Sequence, residues 1–289
     1  MSQLFLNGLV AGSVAALLGT AFVIVYCGSR FFVFTFAIAY LYGAYGMFLC
    51  HGYMPIIVAG PTGVFIAGVV SVLLEAFVYR SIRRDRNNSS ILMLASIGAY
   101  GVLQNLVSLG FGNATKSVRF WSVNEGRSVL GARITPEQML IVSVSLVVIA
   151  LVGVLLTSTS FGRKLRAVGT DGALAHAMGI PVDTTRIVAA GLGGVMAGTA
   201  GVLMSLDTDM TPTIGFRAFL LAIVAAIVGG TTSYGGAVAG GLFVGLTLHV
   251  GVWKLPTAWQ EAILFAVLFA FLVLRPRGFC GKSATSTSV

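Results

Sequence analysis

The chain has 289 residues, 57% of them apolar and 9% charged, whereas a soluble domain carries roughly 25% charged residues. That is too little charge to cover a water-soluble fold of this size, so the chain reads as an all-α integral membrane protein. The net charge of +9 does not point to nucleic acid, because the basic residues sit in short loops between apolar runs, where they act as topology signals.

A membrane span takes about 20 apolar residues. Residues 1–7 lack a basic leader region, so 4–26 reads as a first span and not as a cleaved signal. Further spans follow at 31–50, 55–79, 91–111, 139–157, 187–206 and 262–274. The stretch 216–252 is long enough for two passes but is broken by Gly229, Gly230, Gly235 and Gly236. It reads as two shorter spans around a Gly-rich discontinuity near 229–241, tolerated only where the backbone is buried in protein or faces water. The sum is about nine helices, with eight or ten the alternatives, in a single transmembrane domain over 1–289.

Arg80, Arg83, Arg84 and Arg86 crowd one loop, and Arg163, Lys164, Arg166 and Arg186 another; Arg275, Arg277 and Lys282 lie in the tail. With all three cytoplasmic, nine spans alternate from an external N-terminus. Lys116, Arg119, Arg127 and Arg133 then fall outside and oppose the bias.

Chemistry-bearing groups are few. Cys27, Cys50 and Cys280 are too scattered for a disulfide framework or a cysteine zinc site, and His51, His176 and His249 lack metal-ligand spacing, so no metal and no catalytic residue is expected. Gly281-Lys282-Ser283 resembles the end of a phosphate-binding loop, but Pro276 stands where the first glycine belongs. Glu75 is placed to snorkel toward the cytoplasm and pair with Arg80, Arg83 or Arg84. Gln104 and Asn105 sit mid-span, where lipid offers no hydrogen bonds, and should face the bundle interior, either as helix–helix glue or as the lining of a solute path. Glu261 and His249 read as interfacial. Pairs of small residues at Gly8/Gly12, Gly194/Gly198, Gly236/Gly240 and Gly241/Gly245 suit close helix packing. Asn7–Gly12 and Gly240–Gly245 also look faintly alike, a hint of internal repetition.

The cytoplasmic loop at about 158–186 is the most informative stretch. A basic run, Phe161-Gly162-Arg163-Lys164-Leu165-Arg166-Ala167-Val168, precedes a short helix that Asp171 caps and Gly179 ends. Leu174, Ala177 and Met178 share one face of that helix. It suits either docking into a soluble partner's groove or lying on the membrane surface.

This loop resembles the branched-chain amino acid (Liv-type) permease family of ABC importers. The resemblance runs on through Pro212-Thr213-Ile214-Gly215-Phe216, Val228-Gly229-Gly230, 235–241 and Leu274-Arg275-Pro276-Arg277-Gly278. Upstream, Gly43-Ala44-Tyr45, Ser96-Ile97-Gly98 and Leu103-Gln104-Asn105-Leu106 also fit. It implies a second permease in a homo- or heterodimer, two cytoplasmic ATPase subunits that bind ATP and Mg, an external solute-binding protein, and a place in the bacterial inner membrane. This chain itself would carry no cofactor. The family's solutes include branched-chain and other amino acids, urea and short amides. Asp171, Leu174, Ala177, Met178 and Gly179 would form the helix seated on the ATPase. One departure stands out: Val33, Phe36 and Ile38 replace a polar Asn, His and Glu of the family pattern. Gln104, Asn105 and Phe36 would then line a path that is polar on one wall and apolar on the other. The competing readings are a stand-alone carrier or channel, poorly served by so few intramembrane carboxylates, and an intramembrane enzyme, for which no nucleophile–base pattern exists.

Overall fold

The computed structural model describes residues 2–85, 88–118, 127–129, 132–251, 256, 259–275 and 278–280. Arg86, Arg119, Pro276, Arg277 and 281–283, named above, lie outside the described residues. The long apolar runs form α1 (Ser2–Ser29), α2 (Phe36–His51), α3 (Ile56–Leu73), α5 (Ser89–Phe111), α6 (Pro136–Ser158), α9 (Val182–Asp207), α10 (Ile214–Gly229), α11 (Tyr234–Gly251) and α12 (Gln260–Leu274). Six are long enough to cross a membrane, while α2, α10 and α12 are shorter apolar helices. Three short helices, α4 (Arg80–Asp85), α7 (Ser160–Thr170) and α8 (Gly172–Ala177), lie between the longer ones. Among the described residues the fold is all-α apart from a hairpin of β1 (Arg127–Val129) and β2 (Ala132–Ile134) in the connection after α5.

Helix α1 is apolar all round, and such a helix belongs in the centre; 89% of its span is buried, against 17% for α5. It packs along α11 through small residues on both sides. A side chain at Gly241 would overlap the backbone of Ala16, and one at Gly245 would overlap Gly12. The likeness between 7–12 and 240–245 therefore marks two faces of one close crossing. Helices α2, α3 and α9 meet similarly: Gly43 lies on Gly198, Gly63 on the Gly43 carbonyl, and Gly201 on the Tyr40 carbonyl. Gly201→Val is expected to abolish the monodisperse, detergent-extracted chain, because its methyls would force α2 and α9 apart. A side chain at Gly110 of α5 would meet nothing within 4 Å, so Gly110→Val should extract and elute like the wild type. Equal behaviour of the two variants on size-exclusion chromatography would refute this packing.

Span 31–50 begins later than its hydropathy implies. Residues 31–34 are apolar yet, like Thr35, not helical, and α2 starts only at Phe36. The Gly-rich discontinuity is a real break, with α10 ending at Gly229, Gly230 at φ +108° and α11 starting at Tyr234. By the α1–α11 pairing, this turn lies opposite about residue 23 of α1. It is therefore roughly 9 Å short of that helix's end, at 1.5 Å per residue. Its freed carbonyls are not orphaned: Val228 and Gly229 accept from the N–H groups of Phe279 and Cys280.

Helix α3 runs through a π-helical turn, Leu74–Tyr79, into α4. Glu75 in that turn does pair with Arg83, at 2.9 Å, but it does not snorkel. The two side chains are only 5% and 7% exposed, because the arginine reaches back two turns to the carboxylate. Thr35 and Tyr79 hydrogen-bond beside them at 2.6 Å.

The ends sort as the charge pattern requires. Arg30 donates to the Thr170 carbonyl, Arg186 to the Gly28 carbonyl and Arg80 to Asp183, so both arginine-rich loops gather at the C-terminal end of α1. At the opposite end, Asn7, Gln138, Asp207, Arg217, His249 and Glu261 surround one opening.

Candidate functional site

The loop at about 158–186 folds back on the bundle through α7, which packs on α1, α6 and α9. Its basic residues Arg163 and Lys164 are exposed, while Gly162, Leu165 and Val168 are buried. The sequence reading took this run only as a charge cluster, although Leu165 and Val168 at i and i+3 carry the helical signal. Gly162 packs on the Leu156 carbonyl so closely that any side chain would overlap it. Arg166 donates to that same carbonyl at 3.1 Å.

Helix α8 follows, held at both ends. The Asp171 carboxylate accepts from the N–H groups of Ala173 and Leu174, at 2.8 and 3.1 Å. At the other end Gly179 adopts φ +79°, its N–H bonding to the His176 carbonyl and that of Ile180 to the Ala175 carbonyl. This is the double bond pattern of a Schellman cap, which glycine adopts at little cost. Ala175, buried with Val168 and Val182, fixes the rotation of α8. That rotation leaves Ala177 exposed and Leu174 and Met178 at 60% and 73% exposure. Two large apolar side chains thus stand off the end where the arginine-rich loops gather, one on a six-residue helix and one at its C-cap, with little freedom to turn.

Within the membrane, Gln104 and Asn105 lie on α5, the least buried long helix. Gln104 is half-buried, whereas Asn105 is exposed and donates to the Gly101 carbonyl one turn back, at 2.7 Å. The expected inward orientation is not what a single chain shows. Asn105 faces away from the bundle, and its own helix supplies a hydrogen bond that lipid cannot. Gly98, Gly101 and Gly110 of the same helix have no neighbour within 4 Å. Phe36 is elsewhere, 3% exposed at the start of α2 and edge-on to Phe22. Val33 and Ile38 are buried as well. The structure does not bring Phe36 together with Gln104 and Asn105.

A feature missed in the sequence lies at the end of the bundle opposite the arginine-rich loops. A cavity of about 530 Å³ opens between α1, α9, α10, α11 and α12. Arg217 and Glu261 form an ion pair of 2.8 Å at its mouth, beside Asp207 and His249, and Val14, Leu18 and Tyr40 form its floor. The sequence placed Glu261 and His249 at an interface but offered no spacing that links them to Asp207 or Arg217.

The described residues thus form a polytopic apolar bundle with a short helix bearing exposed apolar side chains at one end. The family described as branched-chain amino acid transport system / permease component matches residues 4–272, and the chain belongs to that family, as a permease subunit of an ABC importer and a multi-pass inner-membrane protein. Among its relatives is the high-affinity branched-chain amino acid transport system permease protein LivH of Escherichia coli K12. It is 29% identical over 300 residues, covering 98% of this chain and 96% of that protein. BraD of Pseudomonas aeruginosa, of the same description, is 26% identical over 297 residues, covering 97% and 95%. The xylose transport system permease protein XylH of E. coli K12 is 35% identical over 120 residues, 39% of this chain and 30% of that one.

Proposed function

We propose that the chain is one of two permease subunits, homo- or heteromeric, that import an amino acid of the branched-chain or a related class. It works with two cytoplasmic ATPase subunits, which bind the ATP and Mg, and with an external solute-binding protein. The chain contributes no ATPase site of its own. The observation that carries this reading is α8: Leu174, Ala177 and Met178 point outward from a helix fixed by Asp171 and Gly179. Exposed apolar side chains on a rigid helix suit the groove of a soluble partner.

The solute path runs along the outward face of α5, where Gln104 and Asn105 supply hydrogen bonds at mid-membrane depth. Gly98 and Gly101 admit a second permease close to that face. Phe36 closes the chain's own interior behind it. XylH covers less of this chain than LivH or BraD and is named for a different solute, so the long matches favour the amino acid class.

The test is reconstitution in vesicles. The purified chain alone should hydrolyse no ATP, while the complex with its ATPase and binding protein should take up apolar amino acids in step with hydrolysis. Gln104→Leu should shift the uptake of a panel of amino acids and amides by several-fold without loss of assembled complex. Hydrolysis or solute turnover by the isolated chain would overturn the reading. An unchanged panel would remove Gln104 from the path.

A further inference from the structure

Behind α8 a cavity of about 480 Å³ opens to the cytoplasm, and the ends of α1, α4, α5, α8 and α9 wall it. Three guanidinium groups from distant parts of the chain line it, those of Arg30, Arg83 and Arg186. The nearby carboxylates are already engaged. Glu75 accepts from Arg83 Nη1 at 2.9 Å, and Asp183 accepts from Arg80 at 3.2 Å while its other oxygen faces Arg186 at 3.9 Å. Asp171 holds the two N–H groups that start α8.

The donors are not all engaged. Arg83 is 91% buried, and its Nη2 has no hydrogen-bond partner among the described residues. A buried guanidinium nitrogen without an acceptor is costly, and the cost disappears when an acceptor arrives. Arg186 spends Nε on the Gly28 carbonyl, and its Nη2 lies beside Gly172 on the cavity wall.

We infer that this cavity binds a phosphoryl oxyanion, supplied by an anionic phospholipid headgroup or by free phosphate. Paired guanidinium forks match phosphate oxygens. The cavity also lies at the cytoplasmic face, where anionic headgroups gather. A bound oxyanion links α8 to α1, α4 and α9 through their own side chains, so occupancy stiffens the seat of the docking helix. The inference stands apart from the identity of the transported solute.

The experiment uses the full purified chain in neutral detergent. Radiolabelled inorganic phosphate is titrated by equilibrium dialysis against a chloride control, and retained phosphatidylglycerol is read by native mass spectrometry. Saturable binding of one phosphate per chain, or one retained phosphatidylglycerol, is expected. Arg83→Lys keeps a cation on Glu75 but removes the free nitrogen, and it should weaken binding at least tenfold. Arg186→Gln and Arg30→Gln should also weaken it, whereas Arg84→Gln, an exposed change outside the cavity, should not. Competition between the two ligands assigns the site to the headgroup, and phosphate binding indifferent to the lipid assigns it to the free ion; either keeps the site. Absence of saturable binding of both ligands would overturn the proposal. So would wild-type affinity in a monodisperse Arg83→Lys or Arg30→Gln chain, the second variant deciding the matter should the first fail to fold.

Discussion

Replacing Ala177 with aspartate should leave the chain inserted and folded yet reduce ATP-driven uptake by two orders of magnitude or more. Ala177 is exposed in the lone chain, so the new carboxylate meets water and costs the fold little. The penalty arises only when α8 enters an apolar groove, where an unpaired charge costs several kcal/mol. At about 1.4 kcal/mol per factor of ten, three such units weaken docking by more than a hundredfold. The measurement is uptake by the reconstituted complex, alongside crosslinking from a cysteine placed at Met178. Undiminished uptake together with a silent crosslink would mean that the ATPase sits elsewhere and that α8 lies on the membrane surface.

A second large effect is expected from Arg83→Met. The Glu75–Arg83 pair is 5% and 7% exposed, with 2.9 Å between its atoms. Removing one partner strands a buried carboxylate and costs about 3–5 kcal/mol. At a few degrees per kcal/mol for a chain of this size, the melting temperature in detergent should fall by on the order of 10 °C. Adding Glu75→Gln removes the stranded charge and should restore most of the loss. A single variant that melts within a degree or two of wild type would show that the pair contributes nothing. A double variant no better than the single would show that Arg83 acts through packing and not through its charge.

Much of the architecture was legible because membrane insertion imposes a coarse rule, a run of about 20 apolar residues per span. The broken hairpin was legible at Gly229 and Gly230, and both ends of α8 were legible at Asp171 and Gly179, since each residue type does a backbone-specific job there. Hydropathy failed at 31–35, where a mostly apolar stretch bends and turns instead of running as helix, because burial and helicity are separate properties. It also gave no sign of the hairpin Arg127–Val129 with Ala132–Ile134. Asn105 was assigned an interior it does not face, because a reading of one chain supplies no second chain to face. Arg30, Arg83 and Arg186 belong to three segments that only the fold brings together, and spacing along the chain carries no trace of that meeting.

The pairing of α1 with α11 also bears on how the protein is made. The central helix α1 ends at Ser29, and α11, which bears the partner for its small-residue stripe, begins only at Tyr234. Until α11 is made, Gly8, Gly12 and Ala16 must therefore wait in lipid, or against a substitute such as an insertase. The ladder that joins 228–229 to 279–280 closes later still. A ribosome that stalls before residue 234 thus releases a chain in which the small-residue stripe of α1 lacks its partner surface.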